Sequence, residues 1–271
     1  VLSDPLGALG LTLVVLFILG AALAPILAPY GPSAIDVRAR LESPSFEHLL
    51  GTDNLGRDTF SRVLFGGRIA LTVALTAVGL SLAIGLLLGL IAGYGPRWLD
   101  NILLVVFDSV RSFPVIMFAL AVITLMGPSL VTVIAVVVIT SIPAYGRMVR
   151  TQTLALRNTE FILAERSLGA GTARVLLVHM LPNVIGPLLI LASMEVPVVI
   201  TIEAGLSFLG LGVRPPAPSW GNILSDGYAF IQNTSWLVIA GGLPVALTTL
   251  GFTFLGETLR DVFDPKLHRE A

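Results

Sequence analysis

The sequence contains no cysteine, which removes disulfides, thiolate catalysis and cysteine-based metal sites from consideration. It has one lysine, Lys266, and no GxxxxGK[ST] stretch, so the chain cannot build its own P-loop for ATP. Its three histidines, His48, His179 and His268, are scattered and match no zinc-binding spacing such as HExxH. Charge is scarce too: 12% of the 271 residues are charged, about half of the roughly 25% usual in soluble domains. A net charge of −1 argues against nucleic acid as a partner. No Ser-His-Asp or metal-ligand cluster is visible, so the chain reads as non-catalytic.

What is present is oil. Hydrophobic residues make up 55% of the chain, more apolar surface than a globular core of this length can hide, so the solvent must be lipid. Six runs are long enough to span, at about 20 apolar residues each. They cover Leu6–Ala28, Ile69–Tyr94, Ile102–Met126, Ser129–Gly146, Val184–Ile202 and Trp236–Leu255. Their continuity predicts helices rather than alternating barrel strands. The expected fold is an all-α membrane protein with six transmembrane helices. The first run has a signal-peptide alternative, because Ala22–Ala24 resembles a cleavage site, but no basic region precedes it. The chain opens at Val1, so a few residues are expected ahead of it.

Arginine placement predicts orientation. Arg97, Arg147, Arg150, Arg157, Arg166, Arg174 and Arg260 fall on one side with Lys266 and Arg269. The other side's arginines are offset by acids, which puts both termini in the cytoplasm and makes Tyr30–Arg68 the large extracytoplasmic loop. The expected division is a first span with that loop over 1–68, a core of spans two to six over 69–261, and a cytoplasmic tail over 262–271. Gly85, Gly89 and Gly93 recur every four residues, so one face of the second span admits a close helix.

Between spans four and five the chain turns polar. Thr153–Leu168 reads as an amphipathic helix, with Leu154, Phe161 and Leu168 seven apart. Gly169 and Gly171 stop it, Thr172 is a plausible N-cap for a second short helix to Met180, and Pro182 marks a corner into span five. On physics alone the element reads as an ordinary loop, a headgroup helix or a docking surface in another protein's groove.

The stretch LAERSLGAGTARVLLVHMLP, Leu163 to Pro182, resembles the cytoplasmic signature of binding-protein-dependent ABC importer permeases. That pattern reads Glu-Ala-Ala, three residues, Gly, nine residues, Ile, any residue, Leu-Pro. Here Ala164, Gly169, Leu181 and Pro182 fall in register, while Leu163, Glu165 and His179 depart from it. LGTDNLGRDTFSR, Leu50–Arg62, looks like the extracytoplasmic signature of the dipeptide, oligopeptide and nickel subfamily, and carries Gly51, Asp53, Gly56, Arg57, Asp58 and Arg62. EAGLSFLGLGVRPPAPSWG, Glu203–Gly221, looks like that subfamily's segment after the fifth span, and FDPKL, Phe263–Leu267, resembles its C-terminal ending; the four stretches together point to its C-type member.

The resemblance implies a type I importer half in a prokaryotic cell membrane, with coupling helices at about 153–180. Its partners would be a second permease, two ATPases carrying ATP and Mg2+, and an extracytoplasmic solute-binding protein. This chain would bind no cofactor. Leu163, Ala164, Glu165, Gly169, Ala170, Leu181 and Pro182 would couple it to the ATPases. The solute would be a dipeptide or oligopeptide, with nickel or another small solute as the alternative.

Charges inside spans are functional candidates by default. Asp108 and Arg111 are three apart and share a helix face, which suggests a structural pair beside a kink at Pro114. Glu195, next to Pro197, is the candidate for the translocation path; Glu203 is expected to organise the loop after span five. A proton-coupled carrier using Asp108, Glu195 and Glu203 is the rival class. In the large loop, Asp53 and Asn54 suit a turn and Asp58 a helix cap, while Arg57 and Arg62 would pair locally or meet a partner. Arg214–Trp220 reads as a stiff proline loop with an interfacial aromatic anchor.

Overall fold

Asp4 starts the first helix. Its carboxylate accepts the backbone N–H groups of Leu6 (3.4 Å) and Gly7 (2.9 Å), and Pro5 fits the first turn, where no N–H is needed. Helix α1 covers Pro5–Ala22 and a short α2 covers Ala24–Leu27. A loop with one 3₁₀ turn then leads to α3, Thr59–Tyr94. The chain continues with α4 (Arg97–Arg111), α5 (Val115–Met126), α6 (Leu130–Leu156) and α7 (Glu160–Ser167). It ends with α8 (Thr172–Arg174), α9 (Leu181–Phe208), α10 (Trp220–Ala229) and α11 (Trp236–Phe263). This computed structural model describes residues 4–263, so Lys266, most of the FDPKL motif and the tail from 264 lie outside it.

Five helices are long and apolar enough to cross a membrane, and α4 with α5 makes a sixth span if the bent pair counts as one. Among the described residues there is no strand, only an isolated bridge between Thr52 and Asp58. The expected all-helical membrane bundle is what the chain forms. Its third span, expected as one helix kinked at Pro114, is two helices bent by 87°. Pro114 drives Phe113 out of the helical region and offers no N–H of its own, so the break falls at Ser112–Pro114 rather than softening into a kink.

The glycine stripe of α3 sets the tightest contact. A Cβ on Gly89 would lie 2.6 Å from the Gly146 carbonyl and the Val149 Cβ, and one on Gly93 would lie 2.6 Å from the Thr153 Cβ. The matching order along both helices makes α3 and α6 parallel neighbours, close because the glycine face of α3 carries no side chains. At the far end of the bundle Trp220 is not the interfacial anchor expected. It is 1% exposed, fills the space left by Gly66 and Gly67, and donates its indole N–H to the Val63 carbonyl at 2.8 Å. The polar tip is satisfied inside, so nothing draws the ring to a headgroup.

α1 packs antiparallel on α11. A Cβ on Gly10 would meet the Leu255 nitrogen at 2.8 Å, and the Thr258 hydroxyl donates to Asp4 at 3.0 Å. These contacts place the start of α1 and the end of α11 at one end of the bundle, called here the terminal end. The ends of α3 and α6 lie there too; the 28–58 loop and α10 lie at the opposite, loop end.

Candidate functional site

The polar element at the terminal end is built by an early stop and a wide turn. α6 runs ten residues beyond the expected end of span four, to Leu156, because Thr153 is buried against Gly93 and keeps the helix on its neighbour. Arg157 then donates to the Gly93 carbonyl at 3.1 Å, and the Thr159 hydroxyl takes the Leu156 carbonyl at 2.6 Å. The chain breaks there and restarts at Glu160. Thus Leu154 and Phe161, expected on one helix over Thr153–Leu168, sit on two.

α7 closes as the glycines predict. Gly169 has φ +87°, and the Gly169 and Ala170 N–H groups donate to the Arg166 and Glu165 carbonyls, each at 3.0 Å. That is the Schellman arrangement. Thr172 is the first residue of the next helix rather than its cap, and makes no capping bond. The corner expected at Pro182 is also absent: Thr172–Phe208 is one helical run, with a π-helical turn over Val175–Met180 just before the proline. The wider turn moves the preceding carbonyls away from the ring and asks for no N–H at Pro182.

A small core of its own holds this element. Ile162, Val175 and Met180 are fully buried together, with Tyr94 of α3, Ala170 and Leu176 packed on them. α7 is thereby pinned to the ends of two spans. Leu163, Ala164, Leu168, Gly169 and Pro182 remain exposed, while Glu165, Ala170 and Leu181 are half-buried.

Along α4 and α6 the charges pair differently from expectation. Asp108 accepts from Arg147 of α6 at 3.0 Å, not from Arg111. Arg150 makes a two-pronged pair with Asp100 at the start of α4, its Nη2 2.7 Å from Oδ2. These bridges clamp α4 to α6 across some forty to fifty residues of chain. Sequence reasoning passed over Asp100 and gave Asp108 its nearest neighbour. The sequence shows two acids eight apart and two arginines three apart, but not that they face one another. Arg111 stands instead at the α4–α5 corner, and it shares a cavity with Glu195. Glu203 is fully buried at the loop end of α9, and accepts the Ser207 hydroxyl at 2.7 Å.

The loop-end residues form a closed scaffold. Asp53 accepts the N–H groups of Leu55 (2.8 Å) and Arg57 (3.0 Å) and the Arg57 Nε (2.6 Å), with the Arg62 Nε at 3.3 Å. Gly51 and Gly56 supply the positive φ that the two turns need, at +66° and +74°. Asp58 caps α3 through the Ser61 N–H at 2.7 Å and holds His48 at 2.9 Å. Arg57 also reaches Asp226 of α10 at 3.5 Å. Burial pushes the Asp226 carboxyl above the usual range, against the pull of Arg62 and Arg57.

These arrangements have relatives. Residues 85–269 match the family of binding-protein-dependent transport system inner membrane components, and residues 2–44 match the N-terminal TM domain of oligopeptide transport permease C. The chain belongs to the first family and is a membrane-embedded permease subunit of an ABC importer. Among its relatives is the dipeptide transport system permease protein DppC of Alkalihalophilus pseudofirmus, 40% identical over 265 residues, or 98% of this chain and 87% of that protein. Among solved structures, a chain of the MetNI methionine ABC transporter in an inward-facing conformation aligns with a TM-score of 0.61. It covers 75% of this chain and 96% of that one at 19% identity, which establishes a shared type I importer permease fold.

Proposed function

We propose that this chain is the C-type half of a paired permease that imports dipeptides or oligopeptides, and that α7 transmits ATPase motion to the spans. The 40% identity to a dipeptide permease over nearly the whole chain supports the solute class. Two ATPases carry ATP and Mg2+ below, a second permease completes the pathway, and a binding protein delivers solute from outside. The chain itself makes and breaks no bond. It lies in a prokaryotic cell membrane with the terminal end, and α7, in the cytoplasm. Arg97, Arg147, Arg150, Arg157, Arg166 and Arg174 support that orientation.

One observation carries the coupling role: α7 is a stiff unit, capped by Gly169 and pinned through Ile162 and Met180 to the ends of α3 and α9, with Leu163, Ala164 and Leu168 left outside. A push on α7 therefore moves two spans together, as a two-state lever requires. The test is Gly169→Val in the assembled transporter. No atom lies within 4 Å of a Cβ at Gly169, so the change strains only the left-handed turn. That strain, about 1–2 kcal/mol, should loosen the end of α7 and weaken the coupling of ATP hydrolysis to uptake. Normal coupling in the assembled variant defeats the proposal.

A further inference from the structure

Two oppositely charged side chains, one at the α4–α5 corner and one in α9, line one cavity, and neither has an ion-pair partner within 4 Å among the described residues. Arg111 is the last residue of α4, at the 87° corner, and Glu195 lies near the middle of α9. Both line a cavity of ≈ 300 Å³, with Phe113 and Val198 as its apolar walls and Thr140 and Ser141 from α6 beside them. Of the other acids singled out in the spans, Asp108 pairs with Arg147, and Glu203 accepts the Ser207 hydroxyl through one oxygen only.

Unpaired charge in a bilayer is costly and persists where a cavity or a ligand serves it. One positive and one negative group lining the same cavity suit a solute that carries both charges. A guanidinium takes a carboxylate through two parallel hydrogen bonds, and a carboxylate takes an ammonium. Ligand pockets run from roughly 300 to 1,000 Å³, and this one falls at the small end. We propose that Arg111 and Glu195 form a subsite for a short zwitterionic peptide in transit, Arg111 binding its carboxylate and Glu195 its ammonium. The inference rests on the peptide-importer reading and deepens it. A long peptide would present only one terminus here at a time.

The test uses the complete transporter in liposomes, with both permeases, both ATPases and the binding protein. Its probe is radiolabelled alanyl-4-benzoylphenylalanine, illuminated during turnover. The expected label falls on segments 110–115, 140–144 or 195–202. Arg111→Gln and Glu195→Gln should each cut uptake roughly tenfold, the scale of one lost charge-assisted contact, while stimulated ATP hydrolysis persists. Arg111→Lys should keep more uptake than Arg111→Gln. If the wild type imports the dipeptide but the label maps elsewhere, or both neutral variants import normally, the subsite is wrong and the importer reading stands. If the wild type imports no dipeptide, both fall. Labelling of the wild type decides the matter even if a variant fails to assemble.

Discussion

Glu165 of α7 and His179 of the π-helical turn face one another, with Oε2 and Nε2 3.4 Å apart. Each departs from the family pattern, which has a small residue at the first position and isoleucine at the second. In space the two departures meet, in a contact between α7 and the run into α9 that is an ion pair only when the imidazole is protonated. A double-mutant cycle checks this. Glu165→Ala and His179→Ile should each lower the thermal stability of the assembled complex, and the pair together should cost less than their sum. The coupling expected for such a half-exposed pair is about 0.5 kcal/mol. Strict additivity would mean that the contact contributes nothing.

The α3–α6 seam has no room. Gly89→Leu would drive a side chain into the Gly146 carbonyl and Val149. The expected loss is about 3 kcal/mol or more, seen as a sharp fall in the amount of folded protein in membranes. Gly79→Leu, on the same helix with nothing within 4 Å of a Cβ, is the matched control and should be tolerated.

The Asp100–Arg150 clamp is mostly buried, with side chains 15% and 22% exposed. Asp100→Ala strands the guanidinium and should destabilise the α4–α6 contact by on the order of 3 kcal/mol. Asp100→Glu should recover part of that, measured by unfolding of the complex in detergent.

At the terminal end the Gly7 N–H, and next the Thr258 hydroxyl, hold the Asp4 carboxyl below its usual range. The folded value is depressed, so the stabilisation is present above the ordinary carboxylate range and is lost as pH falls through the lowered value. Exchange protection in the first turn of α1, taken relative to the intrinsic rate at each pH, should therefore be high at neutral pH and fall in strong acid. In Asp4→Ala it should be low at both.

Much of this was written in the chain. The spans follow from apolar length, the α3 stripe from glycines four apart, the Asp58 cap from its place before Thr59, and the end of α7 from Gly169. Pairing between remote helices was not legible: Asp100 with Arg150 depends on how α4 lies against α6, and one sequence carries no signal of that register. Two of the places where local rules misled are instructive. Arg111 is the nearest base to Asp108 along the helix, yet Arg147 is nearer in space. Pro182 should break a helix, but the π turn ahead of it lets the run continue.

The central claim concerns what grips α7, and the absence of native cysteine makes it directly measurable. Ala164→Cys is introduced into the working transporter, with Leu49→Cys in the exposed 28–58 loop as control, and each is treated with a short thiol-to-amine crosslinker. The account predicts that the Ala164→Cys variant joins to a nucleotide-hydrolysing subunit, that the link stops transport, and that the control joins to none. An Ala164→Cys variant that never reaches that subunit, in a complex that still imports solute, would contradict it.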